Sequence, residues 1–167
     1  MEIMFDLNET CCFIGHRDCE MTEVQKTNLY NMIESLIVYG IKNFLFGSKS
    51  NFDKLCYDAV SSLMRKYPHI KRIYIRTNSP YPSKEYQNYL LELYDKSVFP
   101  TCLFGANRAI YVLRNKFMID NSAYCIFYFN PQRKNVVREG KRFAKSGTNI
   151  AYNYALTKKK QIFNLFL

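Results

Sequence analysis

Three glycines stand where a strand-like run of residues meets a helix-like run, and each has polar neighbours able to bind an anion. Gly15-His16-Arg17 and Gly47-Ser48-Lys49 each follow an apolar run, and Ser146-Gly147-Thr148 opens the last helix-like segment. Free backbone N–H groups at such turns, aided by arginine and hydroxyl side chains, bind phosphate groups. The alternative for each turn is a solvated loop or an ordinary helix cap. The residue types favour a phosphate-binding crevice.

Other polar residues could take part in the same site. Asp53 follows the second glycine turn, and Arg114-Asn115 with Asp120 precede the most apolar run of the chain. Arg114 can bind phosphate or pair with Asp120, whereas Asp120 can bind a ribose hydroxyl or cap a turn. His16 and Asp120 are the candidates for acid–base catalysis, since imidazole and carboxyl groups can exchange protons near neutral pH when their surroundings shift their pKa values.

The elements that must position these residues alternate between strand and helix patterns. Strands are predicted over 10–15, 42–47, 70–76, 98–104, 123–129 and 161–166, and helices over 22–38, 52–66, 84–94, 107–119 and 148–157. This alternation predicts an α/β fold, with a single Rossmann-like, doubly wound, mainly parallel sheet and helices on both faces. The length favours one domain over residues 1–167. In such a sheet, the glycine turns collect at the carboxyl edge of the strands.

Local signals refine two of the helices. Thr22 and Gln25 have the spacing of a capping box at the start of the first helix. The residues expected on its inward face are Val24, Leu29, Ile33, Leu36 and Ile37, with Gly40 as the C-cap. Asn51 is the predicted N-cap of the second helix.

Composition narrows the partners and the compartment. The chain has a formal net charge of +10, which favours acidic partners such as nucleotides or nucleic acid. Its six cysteines form no C-x-x-C pair and it has only two histidines, so neither a metal site nor a cofactor is predicted. No signal-peptide pattern or long apolar run occurs, so we expect a cytoplasmic protein that does not bind a membrane. Residues 131–147 form a basic segment that we expect to be a mobile loop.

Taken together, several segments resemble one known group of proteins. They are Cys12-Phe13-Ile14-Gly15-His16-Arg17, Phe44-Leu45-Phe46-Gly47 with Phe52-Asp53, Tyr67-Pro68-His69-Ile70-Lys71, Arg114-Asn115 with Met118-Ile119-Asp120, and Ser146-Gly147-Thr148 with Tyr154-Ala155. In this order they resemble the YoqJ/YpsA-like group of the SLOG superfamily, which is related to the DNA-processing protein DprA and to the LOG phosphoribohydrolases. The resemblance implies a nucleotide or nucleotide-derived ligand at the glycine turns, such as an ADP-ribose-like compound or a signalling nucleotide.

One departure from the family bears on catalysis. LOG enzymes carry a glutamate three residues after their Gly-Thr pair, and this chain has Ala151 there. Because alanine can act neither as a base nor as a nucleophile, a non-catalytic binder or sensor is favoured. The alternatives are a hydrolase that cleaves an N-glycosidic or phosphate bond, and DprA-like nucleic-acid binding. A homo-oligomer remains compatible with the Tyr-rich segment 81–94.

Overall fold

The structure is a computed structural model that describes residues 1–133 and 146–167 and the backbone of 137–138 and 141–142. The strands are β1 (Thr10–Gly15), β2 (Asn43–Phe46), β3 (Lys71–Ile75), β4 (Lys96–Val98), β5 (Tyr124–Tyr128), β6 (Val137–Arg138), β7 (Lys141–Arg142) and β8 (Gln161–Asn164). The helices are α1 (Glu23–Tyr39), α2 (Asn51–Leu63), α3 (Lys84–Leu93), α4 (Ile110–Asp120) and α5 (Gly147–Thr157). Short 3₁₀ turns span Leu7–Glu9, Thr101–Leu103 and Asn107–Ala109.

Six strands form one parallel sheet in the order β4-β3-β2-β1-β5-β8. The predicted Rossmann-like α/β fold is confirmed. Strand β1 is central, with Cys12 paired to Leu45 of β2 on one side and to Cys125 of β5 on the other. The chain builds the sheet outward from β1 to β4 and then returns to add β5 beside β1. This reversal opens a crevice at the carboxyl ends of β1 and β5.

Each face of the sheet buries its own hydrophobic cluster. Phe13 of β1 packs with α1 and α2 on one face, and Ile14 packs with α4 and α5 on the other. Successive side chains of a strand point to opposite faces, so a central strand covered on both sides reads as a continuous apolar run. The helices therefore lie on both faces, as the sequence predicts.

The first helix begins and ends as predicted, with one exception in its buried face. Thr22 caps α1 and exchanges hydrogen bonds with Gln25, and Gly40 ends the helix with a φ of 128°. Leu29, Ile33, Leu36 and Ile37 are buried, but Val24 is exposed. Placing Val24 on the inward face was wrong, because it lies nine residues before Ile33, which at about 100° per residue puts it on the opposite side of α1.

Several predicted boundaries are corrected. Ser50, not Asn51, caps α2, since its hydroxyl accepts the hydrogen bond from the Asp53 N–H group. The fourth strand ends at Val98 instead of spanning 98–104, because Pro100 cannot donate to a ladder and a 3₁₀ turn follows it. The prediction of a mobile loop over 131–147 falls partly outside the described residues and stays a prediction. Within this segment, β6 and β7 pair in antiparallel fashion.

None of the helices in the described part of the chain has the length and apolar character that crossing a membrane requires.

Gly15 is required by close packing at the end of β1. A β-carbon at this position would overlap the ring of Phe52 in α2, whereas a β-carbon at Gly147 would meet no atom of the described residues within 4 Å. We expect Gly15→Ala to lower the free energy of unfolding by about 1–3 kcal/mol, the usual cost of overpacking. Gly147→Ala, the matched control, is expected to leave stability unchanged or slightly raised. Urea denaturation measures both, and equal stability of the two variants would contradict this packing.

Candidate functional site

A cleft of about 680 Å³ lies at the carboxyl edge of the sheet, where the strand order reverses. The loops after β1 and β2 and the first turn of α5 contribute to its wall. Helix α4 lines one side. Of the residues predicted for the site, those that line the cleft are Gly15, His16, Arg17, Gly47, Ser48, Lys49, Asp53, Arg114, Asn115, Ser146, Gly147 and Thr148. Residues from three separate turns and a helix are thus brought together.

Asp120 is the predicted site residue that the structure places elsewhere. Helix α4 runs from the carboxyl edge towards the amino edge of the sheet, and Asp120 is its last residue. Asp120 lies six residues after Arg114, which is about 9 Å further along the helix axis. Its carboxylate accepts a hydrogen bond from the Tyr154 hydroxyl at 2.8 Å and lies 4.0 Å from the Lys158 ammonium. Asp120 therefore links α4 to α5 and does not line the cleft.

His16 is held in place by backbone contacts after β1. Its side chain is 3% exposed and its Nε2 accepts a hydrogen bond from the Asn130 N–H group at 3.0 Å. A nitrogen that accepts an N–H carries no proton, so the neutral ring is protonated on Nδ1. Burial and the nearby positive charge of Arg133 lower the pKa of His16. His16 thus ties the β1 turn to the loop after β5 and stays uncharged at neutral pH.

The β2 turn is organised around the carboxylate of Asp53. Asp53 Oδ2 accepts hydrogen bonds from the Ser48 N–H group at 2.7 Å and from the Ser48 hydroxyl at 2.6 Å. Burial raises the pKa of Asp53 to about 6, although the Ser48 hydrogen bonds and the charge of Arg114 act in the opposite direction. The Asn51 N–H group donates to the Arg17 carbonyl. The N–H groups of Asn51, Asp53 and Lys54 at the start of α2 therefore have partners within the protein.

At the start of α5, fewer backbone N–H groups have a partner among the described residues. Ser146 caps the helix, because its hydroxyl accepts from the Asn149 N–H group and its carbonyl accepts from Ile150. The first N–H groups of a helix have no partner within it. Those of Gly147 and Thr148 have no partner among the described residues and belong to residues that line the cleft. They can donate to a ligand in the cleft.

Arg114 is a buried cation on the cleft wall. It is 8% exposed, and its guanidinium donates to the Gly47 carbonyl and to Asn115 Oδ1. The same guanidinium lies 5.4 Å from the ring centroid of Tyr111. The ion pairs in the described part of the chain involve other basic residues, so none of its carboxylates lies within 4 Å of this guanidinium. Three hydrogen bonds leave two of the five N–H donors of Arg114 without a partner among the described residues.

Gly47 lets Arg114 reach the turn. A β-carbon on Gly47 would lie 2.8 Å from Arg114 Nε and 2.6 Å from Met118 Sδ, closer than side-chain atoms normally approach. The missing side chain leaves the space that the guanidinium occupies. The glycine of the second turn is thus required by the arginine of α4.

Sequence reasoning missed several residues of the cleft, including Tyr74, Thr77, Tyr111, Met118 and Arg133. Four cleft residues, Tyr111, Arg114, Asn115 and Met118, follow the i, i+3, i+4, i+7 spacing of one helix face. That spacing was the available signal for Tyr111 and Met118. The spacing alone does not predict that the Tyr111 ring is exposed or that it contacts Arg114.

Among the described residues, no three His, Cys, Asp or Glu side chains cluster closely enough to hold a metal ion. No protein-family model matches the chain, and a search of curated proteins finds no match to it. The function of the cleft has therefore to be inferred from its own residues.

The buried Asp53 predicts a specific dependence of stability on pH. Its pKa rises from an ordinary value of 3.8 to about 6, so the folded state holds the proton more tightly than the unfolded state. The resulting stabilisation is fully present below about pH 4 and is lost as the pH rises through about 6, a change of about 2–3 kcal/mol. We expect Asp53→Asn to remove this part of the slope in urea denaturation between pH 4 and pH 7.5.

Asp58→Asn is the matched control, since Asp58 lies exposed on the same helix. It should keep the slope of the unchanged protein. Parallel pH profiles for Asp53→Asn and the unchanged protein would contradict the assignment.

Proposed function

We propose that this chain binds a nucleotide or nucleotide-derived ligand, such as an ADP-ribose-like compound or a signalling nucleotide, in the cleft at the carboxyl edge of its sheet. The observation that carries the proposal is the buried Arg114 guanidinium on the cleft wall, which has no carboxylate within 4 Å among the described residues. Burying a cation is costly unless an anion or several hydrogen bonds compensate it. A phosphate group would supply both the negative charge and the hydrogen-bond acceptors.

The surroundings of Arg114 support an anionic ligand. Arg17, Lys49 and Arg133 also line the cleft, against a single carboxylate, that of Asp53, among its described residues. The N–H groups of Gly147 and Thr148, which have no partner among the described residues, add the positive end of a helix dipole. A doubly wound sheet binds its ligands at this reversal of strand order. We further propose that the chain is a member of the YoqJ/YpsA-like group of the SLOG superfamily, on the residues that resemble it.

The cleft favours binding without turnover. Ala151, which stands where LOG enzymes carry their glutamate, is buried in the core of the α4–α5 face and does not line the cleft. Nε2 of His16 already accepts the Asn130 N–H group, so this atom is not free to receive a proton from a substrate. These two positions therefore provide neither a nucleophile nor a ready general base.

A hydrolase is the second candidate, on one observation. Asp53 lines the cleft, and burial raises its pKa to about 6, which suits a group that exchanges protons near neutral pH. Its carboxylate is at the same time engaged by two hydrogen bonds from Ser48. The structural role of Asp53 accounts for these contacts without catalysis.

Arg114→Met tests the binding site directly. Methionine keeps much of the volume of arginine without its charge, so the packing of the cleft wall changes little. Loss of hydrogen bonds to a charged group predicts that affinity for ADP-ribose and ADP falls about 10- to 100-fold. Isothermal titration calorimetry measures the affinities, and circular dichroism verifies folding.

Arg65→Met is the matched control, because Arg65 is exposed beyond the end of α2 and does not line the cleft. It removes the same charge and should bind as the unchanged protein does. An equal loss of affinity in both variants would indicate a general charge effect and exclude the proposed site.

Turnover is tested on the same ligands. We expect ADP-ribose and ADP incubated with the protein to be recovered intact by mass spectrometry. Release of a free base or of phosphate at catalytic protein concentrations, abolished by Asp53→Asn and retained by Asp58→Asn, would instead establish the hydrolase.

A further inference from the structure

An exposed aromatic ring lies on the cleft wall beside the buried guanidinium. Tyr111, in the first turn of α4, is 61% exposed and lines the cleft. Single exposed tyrosines are common on protein surfaces and need no explanation by themselves. The position of Tyr111, however, is set by a second interaction that most surface tyrosines lack.

That interaction is a stack of the ring with Arg114. The guanidinium lies 5.4 Å from the ring centroid, and it is itself held by the Gly47 carbonyl and by Asn115 Oδ1. A cation over one face of a ring is attracted to its electron-rich face. The ring is therefore ordered before any ligand arrives, and the loss of side-chain entropy on binding is reduced. The face of the ring away from Arg114 is left for another group.

We propose that Tyr111 is the base-stacking residue of the cleft, so that the ligand is a nucleotide with its base on the Tyr111 ring and a phosphate on Arg114. This inference rests on the proposed function and narrows it. An inorganic phosphate or a sugar phosphate would use Arg114 and the α5 turn but would leave the ring without a partner. Stacking between a base and an aromatic side chain is insensitive to base identity, because every base has a π face.

A single base is favoured over a nucleic-acid strand. Two of the other exposed aromatic residues, Tyr81 and Phe104, lie on the loops after β3 and β4, and their ring centroids are 6.3 Å apart. Neither lines the cleft, where Tyr111 is the one exposed aromatic ring among the described residues. A cleft of about 680 Å³ is also in the range of sites for small ligands.

The experiment compares ligands with and without a base. Isothermal titration calorimetry is performed with ADP, ribose 5-phosphate and pyrophosphate on the unchanged protein and on Tyr111→Leu, Tyr111→Phe and Tyr81→Leu. Loss of stacking predicts that Tyr111→Leu weakens ADP binding about 5- to 150-fold. Its affinities for ribose 5-phosphate and pyrophosphate should stay unchanged. Tyr111→Phe keeps the ring and Tyr81→Leu removes an exposed ring outside the cleft, so both should bind ADP normally.

Three outcomes would overturn the inference. An equal loss of affinity for ADP and pyrophosphate in Tyr111→Leu would mean that the ring acts only by holding Arg114. Unchanged ADP affinity in Tyr111→Leu would exclude stacking, while binding of the phosphates would leave the proposed function standing. If none of the three compounds binds and a single-stranded oligonucleotide binds through Tyr81 and Tyr111, both the inference and the proposed small-ligand function are wrong.

Discussion

The buried guanidinium of Arg114 sets the conditions for the whole cleft wall. A cation removed from water needs polar partners, and the chain supplies a backbone carbonyl, a side-chain amide and an aromatic ring from Gly47, Asn115 and Tyr111. None of these is an anion. Because an arginine is charged at any physiological pH, the wall keeps a positive charge that the described residues compensate only in part. The glycine of the second turn follows from the same requirement, since a side chain there would displace the guanidinium.

The sheet topology explains why the Arg114 charge and the backbone N–H groups at the start of α5 line the same cleft. The reversal of strand order beside β1 separates the helices that follow β1 and β2 from those that flank β5, and the turns between them cannot close over one another. Three of the first four N–H groups of α2 donate to Ser50 and to the Arg17 carbonyl, whereas those of Gly147 and Thr148 at the start of α5 have no partner among the described residues. The cleft therefore combines backbone donors at the start of α5 with cationic side chains on several walls, those of Arg17 and Lys49 after β1 and β2 and that of Arg114 on α4.

The sequence predicted the fold and much of the cleft, for identifiable reasons. Alternating strand and helix patterns dictate a parallel sheet, and a parallel sheet places the turns at Gly15 and Gly47 and the start of α5 on one edge. Asp120 was placed in the site because it is close to Arg114 in sequence. Residues six apart in a helix are, however, separated by about 9 Å along the helix axis. Tyr111 was missed because its exposure depends on which face of α4 the core covers. Asn51 and Ser50 are both good caps, and only the backbone geometry decides between them.

A crystal structure of the protein with ADP bound tests the role of Arg114 most directly. We expect the diphosphate in the cleft, within hydrogen-bond distance of the Arg114 guanidinium and of the Gly147 and Thr148 N–H groups, and the adenine stacked on Tyr111. Nucleotide bound at another surface, with Arg114 making no contact to it, would exclude the cleft as the binding site.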